Sequence, residues 1–274
     1  MGLIVKLALI SDVHANLEAL EATLADIARR SPDRIVCLGD IVGYNTNPAE
    51  CIALLRQVDC LCIAGNHDRA VCGEITTETF SDVAARAVAW TRRRLGADAI
   101  DFLRGLPLKA NIEDKVLAVH GALHPESGCE TVRLDSDDRR LSSFEALVAH
   151  PSGARICAFG HTHRHGAYEL RGGRARLLPE DEVPLDDGAY YLVNPGTVGE
   201  PRTRDWRATY MMLDTARRIV TVRYVTYDAA RPFAKTRKAG LAPAFSYLPV
   251  PVRDALKRGL RAVGLYEPVK RLTG

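Results

Sequence analysis

Apolar positions in the first part of the chain change period in a regular order. Residues 3–10 form a short apolar run broken by Lys6, and residues 34–38 and 60–64 form two more. Runs of this length read as buried strands. Between them the period becomes helical. Leu17, Leu20, Leu24 and Ile27 recur at three- and four-residue steps behind Asn16, a residue suited to capping a helix. Asn47-Pro48 opens a second helix running to about Gln57, with proline at the first helical position. The order β-α-β-α-β predicts parallel strands joined by right-handed crossovers.

Residues 81–95 and 97–104 read as helices, the first through Val83, Ala87, Trp90 and Arg94. Asn111-Ile112-Glu113-Asp114-Lys115-Val116 reads as a hairpin turn into a strand at 116–119. Residues 121–141 are polar and aperiodic, and a loop of that length is usually functional. Ser142-Ser143-Phe144-Glu145 fits a capping box for a short helix, and a strand at 155–159 follows. Segments 168–170, 174–178, 189–193, 208–213 and 219–224 then read as hairpin-linked strands. They predict a second, mainly antiparallel sheet. Val250, Val252, Leu256, Leu260 and Val263 finally trace an apolar stripe beside Arg253, Lys257, Arg258 and Arg261.

Charge changes this picture at one end. The 274 residues carry a net +3, but residues 231–274 hold ten Lys or Arg against two Asp or Glu, a net +8 that leaves −5 on the rest. We therefore expect one domain over residues 1–230 and a basic helical extension, 231–274, packed on it. The extension has three candidate roles: a docked amphipathic helix, a homo-oligomer contact, or contact with nucleic acid or an anionic membrane. It lacks the interleaved aromatics that single-strand binders use. The seven cysteines include no Cys-x-x-Cys pair, and most lie in apolar runs. That pattern predicts buried free thiols, a reducing compartment and a cytoplasmic location. The N-terminal run is interrupted by Lys6 and lacks a small-residue cleavage site, so it reads as a strand rather than a leader. No run approaches the roughly 18 apolar residues of a transmembrane helix.

The polar residues closing the apolar runs carry the chemistry. They are Asp12 and His14; Asp40; Asn66, His67 and Asp68; His120; and His161 with His163. Residues two apart in an extended segment point the same way, so Asp12 with His14, and His161 with His163, can each converge. A mixed oxygen and imidazole set suits Mn, Fe, Zn, Co or Ni. The donors are too many for one ion, so two divalent or transition metal ions are expected. Paired metals ~3.5–4 Å apart activate a bridging hydroxide and clamp a phosphoryl group. His150 and His165 read as ordinary polar residues, and His124 as a candidate substrate contact from the long loop. Residues 74–80 are a candidate rim. Residues 194–202 contain turn chemistry at Pro195-Gly196 and are a candidate wall, from which Arg202 or Arg204 would reach a phosphate.

Asp12-x-His14, Gly39-Asp40, Gly65-Asn66-His67-Asp68, Val119-His120 and Gly160-His161-x-His163 occur in the order and approximate spacing of the calcineurin-like metallophosphoesterases. The chain most resembles their small prokaryotic phosphodiesterase branch, which shows segments like residues 39–44 and 194–202. The resemblance implies an α/β fold, a two-sheet β-sandwich flanked by helices in four layers, α/β/β/α. It implies that Asp12, His14, Asp40 and His163 bind one metal and Asp40, Asn66, His120 and His161 the other. Asp40 would bridge, and His67 would assist the leaving group, oriented by Asp68. The implied activity is dimetal-dependent hydrolysis of a phosphodiester in a phosphorylated small molecule or nucleotide, by attack of a metal-bridging hydroxide. Phosphomonoesterase or protein phosphatase activity, dinucleoside polyphosphate hydrolysis and a non-catalytic metal-binding scaffold stay open. A scaffold would be signalled by lost ligands, and none is lost. Ala15 and Asn45 stand where the family favours glycine, and Ala122-Leu123 follow Gly121 where the branch often has Ser-Pro; these departures bear on substrate fit.

Overall fold

The computed structural model describes residues 5–203, 205–242 and 258–265. Strands β1 (Lys6–Ile10), β2 (Arg34–Cys37) and β3 (Leu61–Cys62) run parallel, joined by helices α1 (Leu17–Ala28) and α2 (Pro48–Gln57). Asn16 caps α1 by accepting the Ala19 N–H at 3.1 Å. The third strand is shorter than its apolar run. Ala64 leaves the sheet to donate to the Pro107 carbonyl at 2.8 Å, so the chain bends before Gly65. Helices α3 (Asn66–Cys72), α4 (Asp82–Arg92) and α5 (Ala97–Arg104) follow, then a hairpin of β4 (Lys109–Ile112) and β5 (Val116–Val119).

Two expectations for the middle of the chain need correction. The 121–141 segment is not all loop: a single 3-10 turn spans Cys129–Thr131, and α6 (Asp137–Val148) starts before Ser142. Its cap is Ser136, whose hydroxyl accepts the Arg139 N–H at 3.4 Å, and Asp137 and Asp138 fall in the first turn, where the helix dipole favours acids. Ser143 sits inside α6 and accepts the Leu123 N–H at 3.3 Å. The later strands also form no sheet of their own. Strands β6 (Ile156–Ala158), β7 (Gly166–Arg171), β8 (Arg174–Leu178) and β10 (Tyr190–Asn194) join β4 and β5 in the order β4-β5-β6-β10-β7-β8. Strands β9 (Glu182–Pro184), β11 (Ala208–Asp214) and β12 (Ile219–Val225) extend the first sheet as β3-β2-β1-β11-β12-β9. Both sheets are mixed. The first six residues of β11 are all buried, which suits a central strand covered on both faces and places it antiparallel to β1.

Alternation along the strands builds the layers. Leu7 and Leu9 of β1 face the second sheet and meet Val116 and Ala118 of β5 and Tyr191 and Val193 of β10. Ala8 and Ile10 face the other way, onto Leu20, Leu24 and Ile27 of α1. Leu117, Val119 and Leu192 turn outward onto Phe144 and Leu147 of α6. The result is the four-layer helix/sheet/sheet/helix sandwich. A further helix, α7 (Ala230–Lys238), packs on α1 through Lys235 and Glu18 at 2.6 Å. Residues 3–4, Arg204 and the stripe positions Val250, Val252 and Leu256 with Arg253 and Lys257 lie outside the described residues. Among the described residues no helix is long and apolar enough to cross a membrane.

Candidate metal centre

Parallel strands bring their C-terminal ends to one edge, and both sheets present that edge on the same side. β1 delivers Asp12 and His14, β2 delivers Asp40, and β3 delivers Asn66 at the start of α3. From the second sheet, β5 delivers His120, and β6 delivers His161 and His163. Open α/β sheets bind ligands at this edge. The loop after β10 ties the sheets together there. Asn194 donates to the Gly160 carbonyl at 2.9 Å, and the Thr197 hydroxyl to the Asp12 carbonyl at 2.9 Å.

The structure brings the donors into two adjoining groups. Asp12 Oδ1 lies 3.2 Å from His163 Nε2 and 3.7 Å from His14 Nε2. His120 Nε2 lies 3.2 Å from both Asn66 Oδ1 and His161 Nδ1. Asp40 Oδ2 stands between them, 3.6 Å from His14 Nε2 and 3.3 Å from His120 Nε2. All these residues except His161 are buried.

Backbone carbonyls aim the imidazoles. His14 Nδ1 faces the Val42 oxygen at 3.2 Å, His120 Nδ1 the Leu38 oxygen at 2.7 Å, and His163 Nδ1 the Glu200 oxygen at 2.7 Å. A carbonyl only accepts, so each ring keeps a proton on Nδ1 and aims Nε2 inward, as a lone pair wherever the ring is neutral. Lone pairs of His14 and His163 then meet at 3.2 Å, with Asp12 Oδ1 buried beside them without a donor. Such a cluster is repulsive without a cation, so the residues fit metal ions. Where a cation would stand, the Asp40 carboxylate draws a second proton onto His120. Burial opposes charge on His120, but the neighbouring Asp40 carboxylate raises it to about 9. Burial, helped by the charge of His120, holds His161 down at about 3. Burial would raise Asp12, yet His163 keeps it below the usual carboxylate range.

The donors sit on strained backbone. Asp12, His14, Asp40, His161 and His163 all have positive φ, between 47° and 64°. Each such residue costs about 1–3 kcal/mol and persists only where neighbours hold it. Asp12 N–H bonds the Gly39 carbonyl at 3.1 Å, and His14 N–H the Asp40 carbonyl at 2.9 Å. Asn45 adds a further brace: its amide donates to the His14 carbonyl at 3.0 Å and accepts from Thr236 of α7 at 2.9 Å. A glycine here would leave α7 without that link.

The tetrad from Gly65 to Asp68 is a helix start rather than an open turn. Asp68 Oδ2 accepts the Gly65 N–H at 2.9 Å and Oδ1 the Val42 N–H at 3.1 Å. Asp68, expected to orient His67, holds backbone on either side of that ring rather than the ring itself. Burial and Asp40 raise Asp68 to about 7. His67 is held from elsewhere. Its N–H donates to Asp40 Oδ1 at 2.8 Å, and its ring packs against Tyr44 and Phe80 with centroids 4.8 and 5.0 Å apart. Its Nδ1 is buried without a partner. His14, Asp40 and His67 form a third group whose donor atoms lie close enough to hold an ion.

Glycine is required where the Asp40 and tetrad loops touch. A Cβ on Gly65 would stand 2.1 Å from Asp40 Oδ1 and 2.3 Å from Asp40 N. Backbone cannot yield there, so Gly65→Ala is expected to destabilise the fold by about 1–3 kcal/mol and to lower metal content. Urea unfolding and metal analysis of the purified variant check this; wild-type stability would show that the loops part freely.

Thr79 and Phe80, from the candidate rim, and Arg202, from the candidate wall, line a cavity of about 300 Å³ over Asp40, Asn66 and His67. His124 does not reach it; it is exposed and lines a separate cavity with Lys109 and His150. His165 bonds the Tyr224 hydroxyl at 3.1 Å, outside the cluster. Arg133 also lines the cavity. Its loop stands out by length, but nothing in the sequence singles out that arginine.

The calcineurin-like phosphoesterase superfamily domain matches residues 5–218. An uncharacterised protein of Methanocaldococcus jannaschii is 36% identical over 236 residues, 85% of this chain and 92% of that one. The crystal structure of a metallophosphoesterase from Sphaerobacter thermophilus is 33% identical, with a TM-score of 0.71 over 86% of this chain and 95% of that one. A hypothetical protein from Pyrococcus horikoshii shares the fold, with a TM-score of 0.64 over 86% of this chain and 94% of its own, at 19% identity. The match spans both halves of the donor set, from Asp12 to His163, and the chain belongs to the calcineurin-like phosphoesterase superfamily, hydrolases of phosphoric esters.

Proposed function

We propose that the protein is a dimetal phosphodiesterase. The observation that carries this reading is Asp40 Oδ2, one carboxylate oxygen facing His14 on one side and His120 on the other. Asp12, His14 and His163 would hold one ion with Asp40, and Asn66, His120 and His161 the second. Two ions, when bound, supply a nucleophile at neutral pH and positive charge for the phosphoryl oxygens. The oxygen and imidazole donors suit Mn, Fe, Zn, Co or Ni. The chain does the rest. Carbonyls of Leu38, Val42 and Glu200 fix the imidazole tautomers. Asn66 contributes an oxygen without charge, which keeps the centre attractive to an anion. His67, held by Asp40 and its ring neighbours, offers an N–H to the departing oxygen. Asp68 acts through the backbone that seats His67. The seven free cysteines suit a reducing cytoplasm.

The test is turnover of bis-p-nitrophenyl phosphate and p-nitrophenyl phosphate during titration with Mn²⁺. Activity should rise to a plateau at two equivalents per chain, with the diester hydrolysed faster. A faster monoester would make the protein a phosphomonoesterase. Hydrolysis of neither ester at two-metal occupancy would overturn the reading.

A further inference from the structure

The cavity over the donor cluster is lined by two arginines besides the donors themselves. Arg133 and Arg202 line it from separate loops, one beyond the 3-10 turn at Cys129–Thr131 and one after the 195–201 segment. Neither is committed to the scaffold. Among the described residues no carboxylate lies within ion-pair distance of Arg202, whose guanidinium meets only the Tyr44 hydroxyl, at 3.4 Å. Arg133 has Asp135 at 3.4 Å, a partner 49% exposed that solvent screens. The two guanidinium groups also feel each other: burial, then the charge of Arg202, pushes Arg133 down.

Arg69 shows what a structural arginine looks like here. It pairs with Glu74 at 3.0 Å and with Glu130, which is 1% exposed. That second pair fastens α3, which carries His67, to the turn that leads to Arg133. Arg133 is therefore positioned relative to His67.

We propose that Arg133 and Arg202 form a subsite for a second phosphoryl group, so that the substrate is a phosphodiester also carrying a terminal phosphate. The proposal rests on the phosphodiesterase reading. A diester phosphate has one negative charge and two free oxygens, and the centre beneath answers both. A terminal phosphate adds up to two charges and three free oxygens, which two guanidinium groups match by paired N–H donors. Tyr44 and Phe80, lining the same cavity, supply ring surface for the organic part between the two phosphates. A volume of about 300 Å³ lies at the low end for ligand pockets and suits a mononucleotide-sized ligand.

Two chromogenic esters isolate the second phosphate: thymidine 5′-(p-nitrophenyl phosphate) and its 3′-phosphorylated form. The wild type should favour the phosphorylated ester in kcat/KM by roughly 10- to 100-fold, the range of charge-assisted hydrogen bonds. In Arg133→Gln/Arg202→Gln that ratio should fall towards one, with metal content and melting temperature showing the centre intact. An unchanged ratio in the double variant, or no preference in the wild type, would overturn the subsite. Calorimetric binding separates this outcome from failure of the phosphodiesterase reading. Even if neither ester turns over, the metal-loaded wild type should bind thymidine 3′,5′-bisphosphate more tightly than thymidine 5′-monophosphate, and the double variant should not. Equal affinity for both in the wild type would also overturn the subsite.

Discussion

Asp40→Asn is expected to lower phosphodiester turnover by about 10³-fold or more and to leave the purified protein with fewer than two metals. The two carboxylate oxygens divide their work. Oδ1 accepts the His67 N–H at 2.8 Å, and Oδ2 faces both donor groups. Asparagine can keep the first contact, because its amide oxygen accepts equally well. It cannot keep the second, because an amide N–H₂ presents donors where lone pairs are needed. The change also removes the negative charge that raises His120, so a cation loses its main counter-charge at the middle of the cluster. Asp40→Ala would add loss of the His67 tether and confuse metal affinity with folding. The asparagine variant, checked by plasma emission analysis after gel filtration, separates them. Two metals retained with near-normal turnover would show that Asp40 does not bridge.

The donors are legible in the sequence because each closes an apolar run, and parallel strands within a sheet align those ends; that the two sheets share one edge is legible only through the family resemblance. What orients the donors was not legible. The carbonyls of Leu38, Val42 and Glu200 fix three imidazoles, and a backbone oxygen carries no residue signature. How Asp68 would orient His67 is not legible either: its carboxylate caps α3 and holds Val42, so any effect on the ring passes through backbone. Sheet membership was hidden as well. Its short, mostly apolar run between turns identifies β11 as a strand, but only its burial on both faces places it beside β1. The start of α6 is not legible, because Asp137, Asp138, Arg139 and Arg140 read as a polar loop. On the helix the charges pair instead, Arg140 with Asp137 at 2.7 Å. Arg133 shows a last limit: a lone arginine in a loop becomes notable only when the fold lays it over the donor cluster.

His67→Ala should lower turnover of an ester with a poor leaving group by roughly 10²- to 10⁴-fold while leaving both metals bound. The geometry poses a real alternative. His14, Asp40 and His67 lie close enough to hold an ion, and His67 Nδ1 is buried without a partner. If His67 is a ligand, its loss should remove metal and slow every substrate alike. If it serves the leaving group, the effect should follow the chemistry of the departing oxygen. p-Nitrophenolate leaves readily without help, so bis-p-nitrophenyl phosphate should suffer least, and an alkyl or nucleoside ester should suffer most. Gly43 favours the second role. A Cβ there would stand 2.4 Å from His67 Nδ1, so the ring is seated against bare backbone on that side. With Tyr44 and Phe80 packed against the same ring, its remaining nitrogen is left as the group to meet substrate. Metal content and the leaving-group series, measured together on His67→Ala, decide the matter. A one-metal protein that slows all esters equally would move His67 into the ligand set.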